Sequence, residues 1–384
     1  MSKSVNFNLI KLYALVLFLV VSSLFTCAVY LVGVDSPFVL DRGLRVTLIL
    51  ASFGISFLML LAAVSENVSK NIKHMVFFIL LIYVLIFLCS ILFVSLRLLG
   101  FKINMFRATT CVIFFHLCLY CYGYINRFFI RTTHYSVGTE KNINMKVVFV
   151  SDVHIGAVGS STKFLERMVR VINEQNADLV LFGGDIMETK VRHFDSSSYA
   201  QVFRKIEAKL GVYAVLGNHE YYMGRSNVEE IVTFLREGCG MQVLLDEHAL
   251  VGTNLLLVGR LDGGHNRIAM RKKISEILKN VDVADNFLLV LDHSPKYFSE
   301  AMANGADLQL SGHTHNGQMF PFNLLVKFFY EKPYGRLERL NSTLLVSSGV
   351  GTWGPPIKVF SKPEVVVVDI GKSKDEGSGV EKIK

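Results

Sequence analysis

Residues 146–154 read KVVFVSDVH, an apolar, β-branched run of strand length that ends abruptly on Ser151, Asp152 and His154. A short continuous apolar run bounded by polar residues marks a strand buried on both faces. The same design recurs at 178–185 (DLVLFGGD), 211–220 (GVYAVLGNHE), 287–293 (FLLVLDH) and 307–315 (DLQLSGHTH). Further strand-like runs stand at 255–264 (LLLVGRLDGG), 343–349 (TLLVSSG) and 364–370 (EVVVVDI), and amphipathic stretches at 162–175 and 199–210 lie between the early ones. Buried strands alternating with helices imply an α/β domain.

The residues just beyond each strand carry the chemistry. In an open α/β sheet, ligands gather outside the carboxyl ends of the strands. Here those ends present Asp152 and His154, then Asp185, then Asn218 and His219, then His293, then His313 and His315, which uses five of the eleven histidines. Gly183, Gly184, Gly217 and Gly312 stand beside them, where the backbone must turn tightly to present a side chain. Singly these features are ordinary: an aspartate after a strand often caps the next helix, and an isolated histidine is more often structural than a ligand.

As an ordered set, Asp152-Val153-His154, Gly184-Asp185, Gly217-Asn218-His219-Glu220, His293 and Gly312-His313-Thr314-His315 resemble the calcineurin-like metallophosphoesterase family, which places DxH, GD, GNH(D/E), H and GHxH in that order. The resemblance spans about residues 146–370. It implies a four-layer αββα sandwich. Residues 312–318 and the late run SGVGTWGPP at 348–356 are similar to a bacterial membrane-associated branch containing phosphodiesterases and hydrolases of UDP-diacylglucosamine. Asn316 stands where that branch commonly has glycine, and asparagine tolerates the left-handed backbone.

The donor set of carboxylates, an amide and imidazoles is too rich for one tetrahedral zinc with an open position, and suits two divalent ions. The resemblance implies Asp152, His154 and His315 on the first ion, Asn218, His293 and His313 on the second, and Asp185 bridging them. It makes His219 the catalytic donor to the phosphate or leaving oxygen, with Asp152 as its expected orienting partner. The implied reaction is attack of a metal-bridging hydroxide on a phosphodiester or pyrophosphate bond. Zinc, manganese and iron all suit the ligands, and the choice among them stays open.

The amino-terminal third has a different character. Hydrophobic residues are 51% of the 384-residue chain and charged residues 19%, with the apolar excess concentrated in runs at about 10–32, 46–64, 75–99 and 108–129. Each approaches the ~20 residues that cross a bilayer core, so an all-α bundle of four transmembrane helices is expected ahead of the α/β domain, the first retained rather than cleaved. Residues 1–145 hold 12 Lys and Arg against 4 Asp and Glu, while 146–384 hold 28 of each. The net charge of +8 thus belongs to the membrane flanks, and the neutral remainder gives no reason to expect a nucleic-acid partner. Eight basic residues against five place the amino terminus and the catalytic domain on the cytoplasmic side of a bacterial inner membrane. The lone Cys239 of the later region permits no disulfide framework there.

The expected organisation is therefore a membrane domain at 1–131, a polar connector at 132–145, a metallophosphoesterase domain at 146–371 and a disordered tail at 372–384. The substrate is expected to be a phosphate ester, with a lipid-linked phosphate as one candidate and soluble nucleotides or phosphoproteins as another. A membrane sensor or transporter carrying a regulatory phosphoesterase-like domain is the rival of another class. Arg192, Arg225, Arg260 and Arg267 follow motif-bearing stretches and are candidates to bind a second phosphate or a carboxylate, with ordinary surface charge the preferred reading for any one of them. Residues 319–330 are apolar enough for either a core element or a membrane-touching lip.

Overall fold

The computed structural model describes residues 89, 92–93, 95–96, 98–102, 104–157, 160–222, 224–262, 271–372 and 381–382. The chain divides into two compact units, Met1–Cys121 and Tyr122–Lys384. The second is built on two sheets. In the first sheet, β1 (Arg131–Gly138), β2 (Met145–Val150), β3 (Leu179–Gly183), β4 (Val212–Val215) and β5 (Gln242–Val243) join two late strands, β12 (Glu364–Gly371) and β13 (Glu381–Lys382), in the order β13-β1-β12-β2-β3-β4-β5. The second comprises β6 (Glu247–Val251), β7 (Leu255–Gly259), β8 (Phe287–Leu291), β9 (Leu308–Ser311), β10 (Gly335–Arg339) and β11 (Ser342–Val346) in the order β10-β11-β9-β8-β7-β6.

Side-chain alternation sorts these strands into layers. Val147 and Phe149 of β2, with Leu179, Leu181 and Val368, pack against Leu257, Leu289 and Leu310 of the other sheet in one continuous core. Their neighbours Val148 and Val150 face the opposite way, onto helices α2 (Thr162–Asn173) and α3 (Ser196–Phe203) and Ile231 of α4 (Arg225–Thr233). Helix α2 supplies Leu165, Met168, Val169 and Ile172, the i, i+3, i+4, i+7 stripe of an amphipathic helix, and Ser161 caps its start by accepting from the Phe164 N–H. On the outer face of the second sheet, Leu256, Val258, Leu288 and Val290 pack against Ile274, Ile277 and Ala301. The layers are helix, sheet, sheet, helix, as expected. Strands covered on both faces must be apolar throughout, which is why β2, β3 and β8 carry no alternation.

Three expectations change. The span at 108–129 falls on helix α1 (Met105–Asn126), and among the described residues no helix is long and apolar enough to cross a membrane. The helix stops at Asn126, whose side-chain amide donates to the carbonyls of Lys358 and Ser361 at 2.9 Å each, so the last residues of the expected span are part of the second unit. The runs at 10–32 and 46–64, and most of 75–99, lie outside the described residues. The polar stretch at 132–145 is not only a connector: Arg131–Gly138 pairs in parallel with Glu364–Gly371 and extends the first sheet. Within the tail, Glu381 and Lys382 pair with Thr133 and Thr132.

Candidate metal centre

The loops after β2, β3 and β4 meet those after β8 and β9 at one end of the sandwich. Asp152, His154, Asp185, His313 and His315 all have left-handed backbone, with φ of 57, 52, 51, 71 and 49°. Aspartate and histidine are among the non-glycine residues most often found there, and such strain clusters at functional sites. The glycines have steric reasons. A Cβ on Gly184 would lie 2.5 Å from the Gly217 nitrogen, and one on Gly312 would lie 2.0 Å from Ser151 Oγ and 2.4 Å from Asp152 Oδ2.

Among the described residues the side chains form two outer triads, Asp152-His154-His315 and Asp185-His293-His313, joined by a third group, His154-Asp185-His219. Asp152 Oδ1 lies 3.3 Å from His315 Nε2, which lies 3.0 Å from His154 Nε2. Asp185 Oδ2 lies 3.1 Å from His293 Nε2, which lies 3.1 Å from His313 Nδ1 and 3.2 Å from Asn218 Oδ1. Asp185 faces both groups, since the same Oδ2 is 4.0 Å from His154 Nε2. His219 stands beside them with Nε2 3.8 Å from Asp185 Oδ2, and at 18% side-chain exposure it is more open than the fully buried His154 and His293.

The seven expected metal ligands and His219 are thus brought together, while the expected link from Asp152 to His219 is not formed. Asp152 instead accepts from the His313 N–H, from Ser151 Oγ and faces His315. The carboxylate on His219 is Glu188, whose Oε2 lies 2.6 Å from His219 Nδ1 and 2.9 Å from His154 Nδ1. Its only signal in the sequence is an acidic residue three positions after Asp185. Glu220, buried in the same shell, accepts from the backbone N–H groups of Asp185, Gly217 and Met187 at 3.1, 2.8 and 2.7 Å, locking two ligand loops together.

These contacts fit divalent metals. Nδ1 of His154 donates to Glu188 and Nδ1 of His293 donates to the Gly183 carbonyl at 2.8 Å, so in each ring Nε2 is the nitrogen turned into the cluster, the one that would bind a metal there. The Asn218 amide nitrogen donates to Tyr222 Oη at 2.8 Å, which turns the amide oxygen inward. Burial, with His293 nearby, lowers the pKa of His313 to about 4, and burial lowers that of His315 to about 4 against the pull of Asp152, so both are neutral ligands near pH 7. Burial would raise the Asp185 pKa, but His293 and His219 hold it well below the carboxylate range. Burial likewise opposes the charging of His219, yet Asp185 and Glu188 raise its pKa to about 9.

Of the four arginines considered for phosphate binding, Arg260 is buried and faces Glu300 at 3.3 Å and Asp246 at 3.8 Å, which makes it structural. Arg192 is exposed, and Arg267 lies outside the described residues.

A profile of the calcineurin-like phosphoesterase family matches residues 145–317. The chain is 33% identical over 264 residues to an uncharacterized metallophosphoesterase of Aquifex aeolicus, covering 67% of this chain and 98% of the relative. It is 31% identical over 229 residues to an uncharacterized metallophosphoesterase of Campylobacter jejuni, covering 59% of each. A zebrafish (Danio rerio) protein named a transmembrane protein with metallophosphoesterase domain is 28% identical over 233 residues, covering 58% of this chain and 52% of that one. With the Aquifex relative matched along nearly its whole length and the motif residues converging at one end of the sandwich, the chain belongs to the calcineurin-like metallophosphoesterase family and is a metal-dependent phosphoesterase.

Proposed function

We propose that the chain hydrolyses a phosphodiester or pyrophosphate bond at a dinuclear centre, with Asp152, His154 and His315 on one ion, Asn218, His293 and His313 on the other, and Asp185 between them. The single observation that carries this is the position of Asp185, whose Oδ2 faces a triad on either side. A carboxylate carries the negative charge that adjacent cations need, and its other oxygen, Oδ1, is held in place by accepting from the His219 backbone N–H at 2.9 Å. The ions, when bound, supply charge neutralisation at the phosphoryl oxygens and make water acidic enough to serve as nucleophile near neutral pH.

The protein's own residues do the rest. Glu188 holds the His219 ring by Nδ1, leaving Nε2 to carry a proton at the open side of the cluster. From there His219 stabilises charge on the phosphoryl group and protonates the leaving oxygen. Asp152 fixes the turn at 313 through its backbone N–H, and Glu220 fixes the loops at 185 and 217. His219→Ala is expected to retain both ions and lose about 10²- to 10⁴-fold in turnover. Metal analysis beside steady-state rates checks this, and a variant that loses an ion would make His219 a ligand instead.

The substrate we propose is lipid-linked, and the catalytic unit is held on the cytoplasmic face of a bacterial inner membrane by the apolar region that precedes it. Supporting this are the apolar runs before Tyr122 and the transmembrane name of the zebrafish relative. The matches span 59% of the Campylobacter relative and 52% of the zebrafish one, so activity and partners of the whole chain are part of this proposal. Purified full-length chain assayed on a UDP-diacylglucosamine-like lipid, a soluble phosphodiester and nucleotides tests it. Preference for the lipid is expected, and equal efficiency on all three would remove lipid selectivity.

A further inference from the structure

Helix α5 (Phe322–Phe329) buries Val326 but leaves Leu324, Leu325, Phe328 and Phe329 exposed by 49, 44, 84 and 72%. At i, i+1, i+4 and i+5 these four form one continuous stripe. The stripe does not stand alone. Phe360, 56% exposed, packs edge-on against Phe320 just before the helix, with ring centroids 6.4 Å apart. Its backbone is left-handed at φ 59°, an unusual conformation for a bulky aromatic residue and one that here presents the ring to the outside rather than to a core. Trp353, 36% exposed, is tied to the same turn through two hydrogen bonds with the Gln318 side chain, at 2.7 and 3.0 Å.

The occupant of this surface is indicated by what it is fastened to. The Lys358 N–H donates to the Gly123 carbonyl at 3.0 Å, and Asn126 donates to the carbonyls of Lys358 and Ser361, so the loop bearing Phe360 is bound to the point where the chain enters this unit. That entry leaves Tyr122, Tyr124, Ile125 and Phe129 exposed by about half, and it follows the most apolar part of the sequence. The same loop is bound to the centre: Ser361 Oγ donates to the His315 carbonyl at 2.6 Å and the Val359 N–H to the Gln318 carbonyl at 2.8 Å. At the other end of α5, the Tyr330 ring meets His313 with centroids 5.9 Å apart. Charge agrees with an anionic partner. Lys327 lies exposed beside the stripe, Lys296 sits over the Tyr330 ring at 5.1 Å, Arg127 and Arg167 flank the entry at Phe128, and Glu331 is paired with Arg339.

We propose that the exposed face of α5, with Trp353 and Phe360, inserts into the interfacial layer of an anionic phospholipid bilayer and sets the open side of the metal centre at the lipid surface. An apolar helix face with a basic rim enters this layer to about 5–10 Å, where an indole ring also partitions well. The inference rests on the membrane association proposed above and is independent of which phosphate ester is cleaved.

Trp353 is the chain's one tryptophan, so its fluorescence reports on this surface directly. Full-length protein would be reconstituted into vesicles of phosphatidylcholine and phosphatidylglycerol carrying a nitroxide near the headgroup end of the acyl chain. Emission is expected to fall by roughly half, as befits a shallow insertion, and Leu325→Glu, Phe328→Glu and Phe329→Glu together are expected to abolish most of that quenching. Metal content and circular dichroism confirm that the variant is folded. Vesicle-bound protein whose Trp353 is unquenched overturns the inference while sparing the membrane association, as does equal quenching in the variant. A Trp353 shielded by self-association, seen as a dimer in detergent with the ring unquenched in vesicles, overturns it in favour of a second copy. Protein that fails to float with vesicles at all overturns the membrane association and this inference with it.

Discussion

Glu188 places one carboxylate oxygen against two imidazoles, 2.9 Å from His154 Nδ1 and 2.6 Å from His219 Nδ1. Replacing it with glutamine keeps the shape but removes the charge that favours both N–H donors. Glu188→Gln is expected to weaken binding of the ion at His154 by about 10- to 100-fold, as loss of a carboxylate behind a metal-bound histidine generally does. Its turnover should fall as well; metal titration and kcat check the two effects separately. The same carboxylate, with Asp185, raises the His219 pKa from 6.5 to about 9 against the opposing effect of burial. In metal-free protein this histidine therefore contributes stability that is complete below about pH 6.5 and is lost as pH rises through about 9. Urea midpoints of chelated protein across that window should decline, and the part due to this group should vanish in His219→Gln. The ligands could be read from the sequence because each lies within a few residues of a strand end. Glu188 and Glu220 could not be assigned their roles, because their partners are set by three loops meeting and not by spacing.

At the scale of elements, the turn at 312–318 depends on how closely β9 approaches β2. A Cβ on Gly312 would enter the space of Ser151 Oγ and Asp152 Oδ2, both on fully buried residues. Gly312→Ala is expected to cost about 1–3 kcal/mol through overpacking and to displace Asp152 from the first triad, which thermal unfolding and metal stoichiometry would show together. Asn316, at φ 49°, occupies its position without needing glycine, so the departure from the family pattern is accommodated by the backbone. The strand β1 escaped a reading by pattern because RTTHYSVG has no apolar alternation, and its place comes from pairing with the strongly apolar β12. Helix α1 lies three residues earlier than the apolar run at 108–129, for a related reason. Hydropathy continues through Phe129, whereas the hydrogen bonds of Asn126, the last helical residue, to Lys358 and Ser361 are contacts more than 200 residues distant.

Over the whole molecule, the centre is a seam. Asp152, Asp185 and Asn218 follow strands of the first sheet, whereas His293, His313 and His315 follow strands of the second. Ions bound there would cross-link the two sheets at one end, in addition to the apolar core between them. Chelation is accordingly expected to lower the unfolding temperature, by an amount that grows with the logarithm of metal concentration on add-back. Calorimetry with and without chelator measures this, and an unchanged transition would mean that the ions are not bound across the seam. By itself the sequence determined the α/β class, the order of the strand-end residues and the family, because doubly covered strands must be continuously apolar and their ends must carry the donors. Only the tertiary structure decided which carboxylate holds His219, that 131–138 is a strand, and that the face of α5 is left bare beside the centre. Those depend on surfaces brought together from distant parts of the chain, and the exposure of an apolar residue is a property of its neighbours in space.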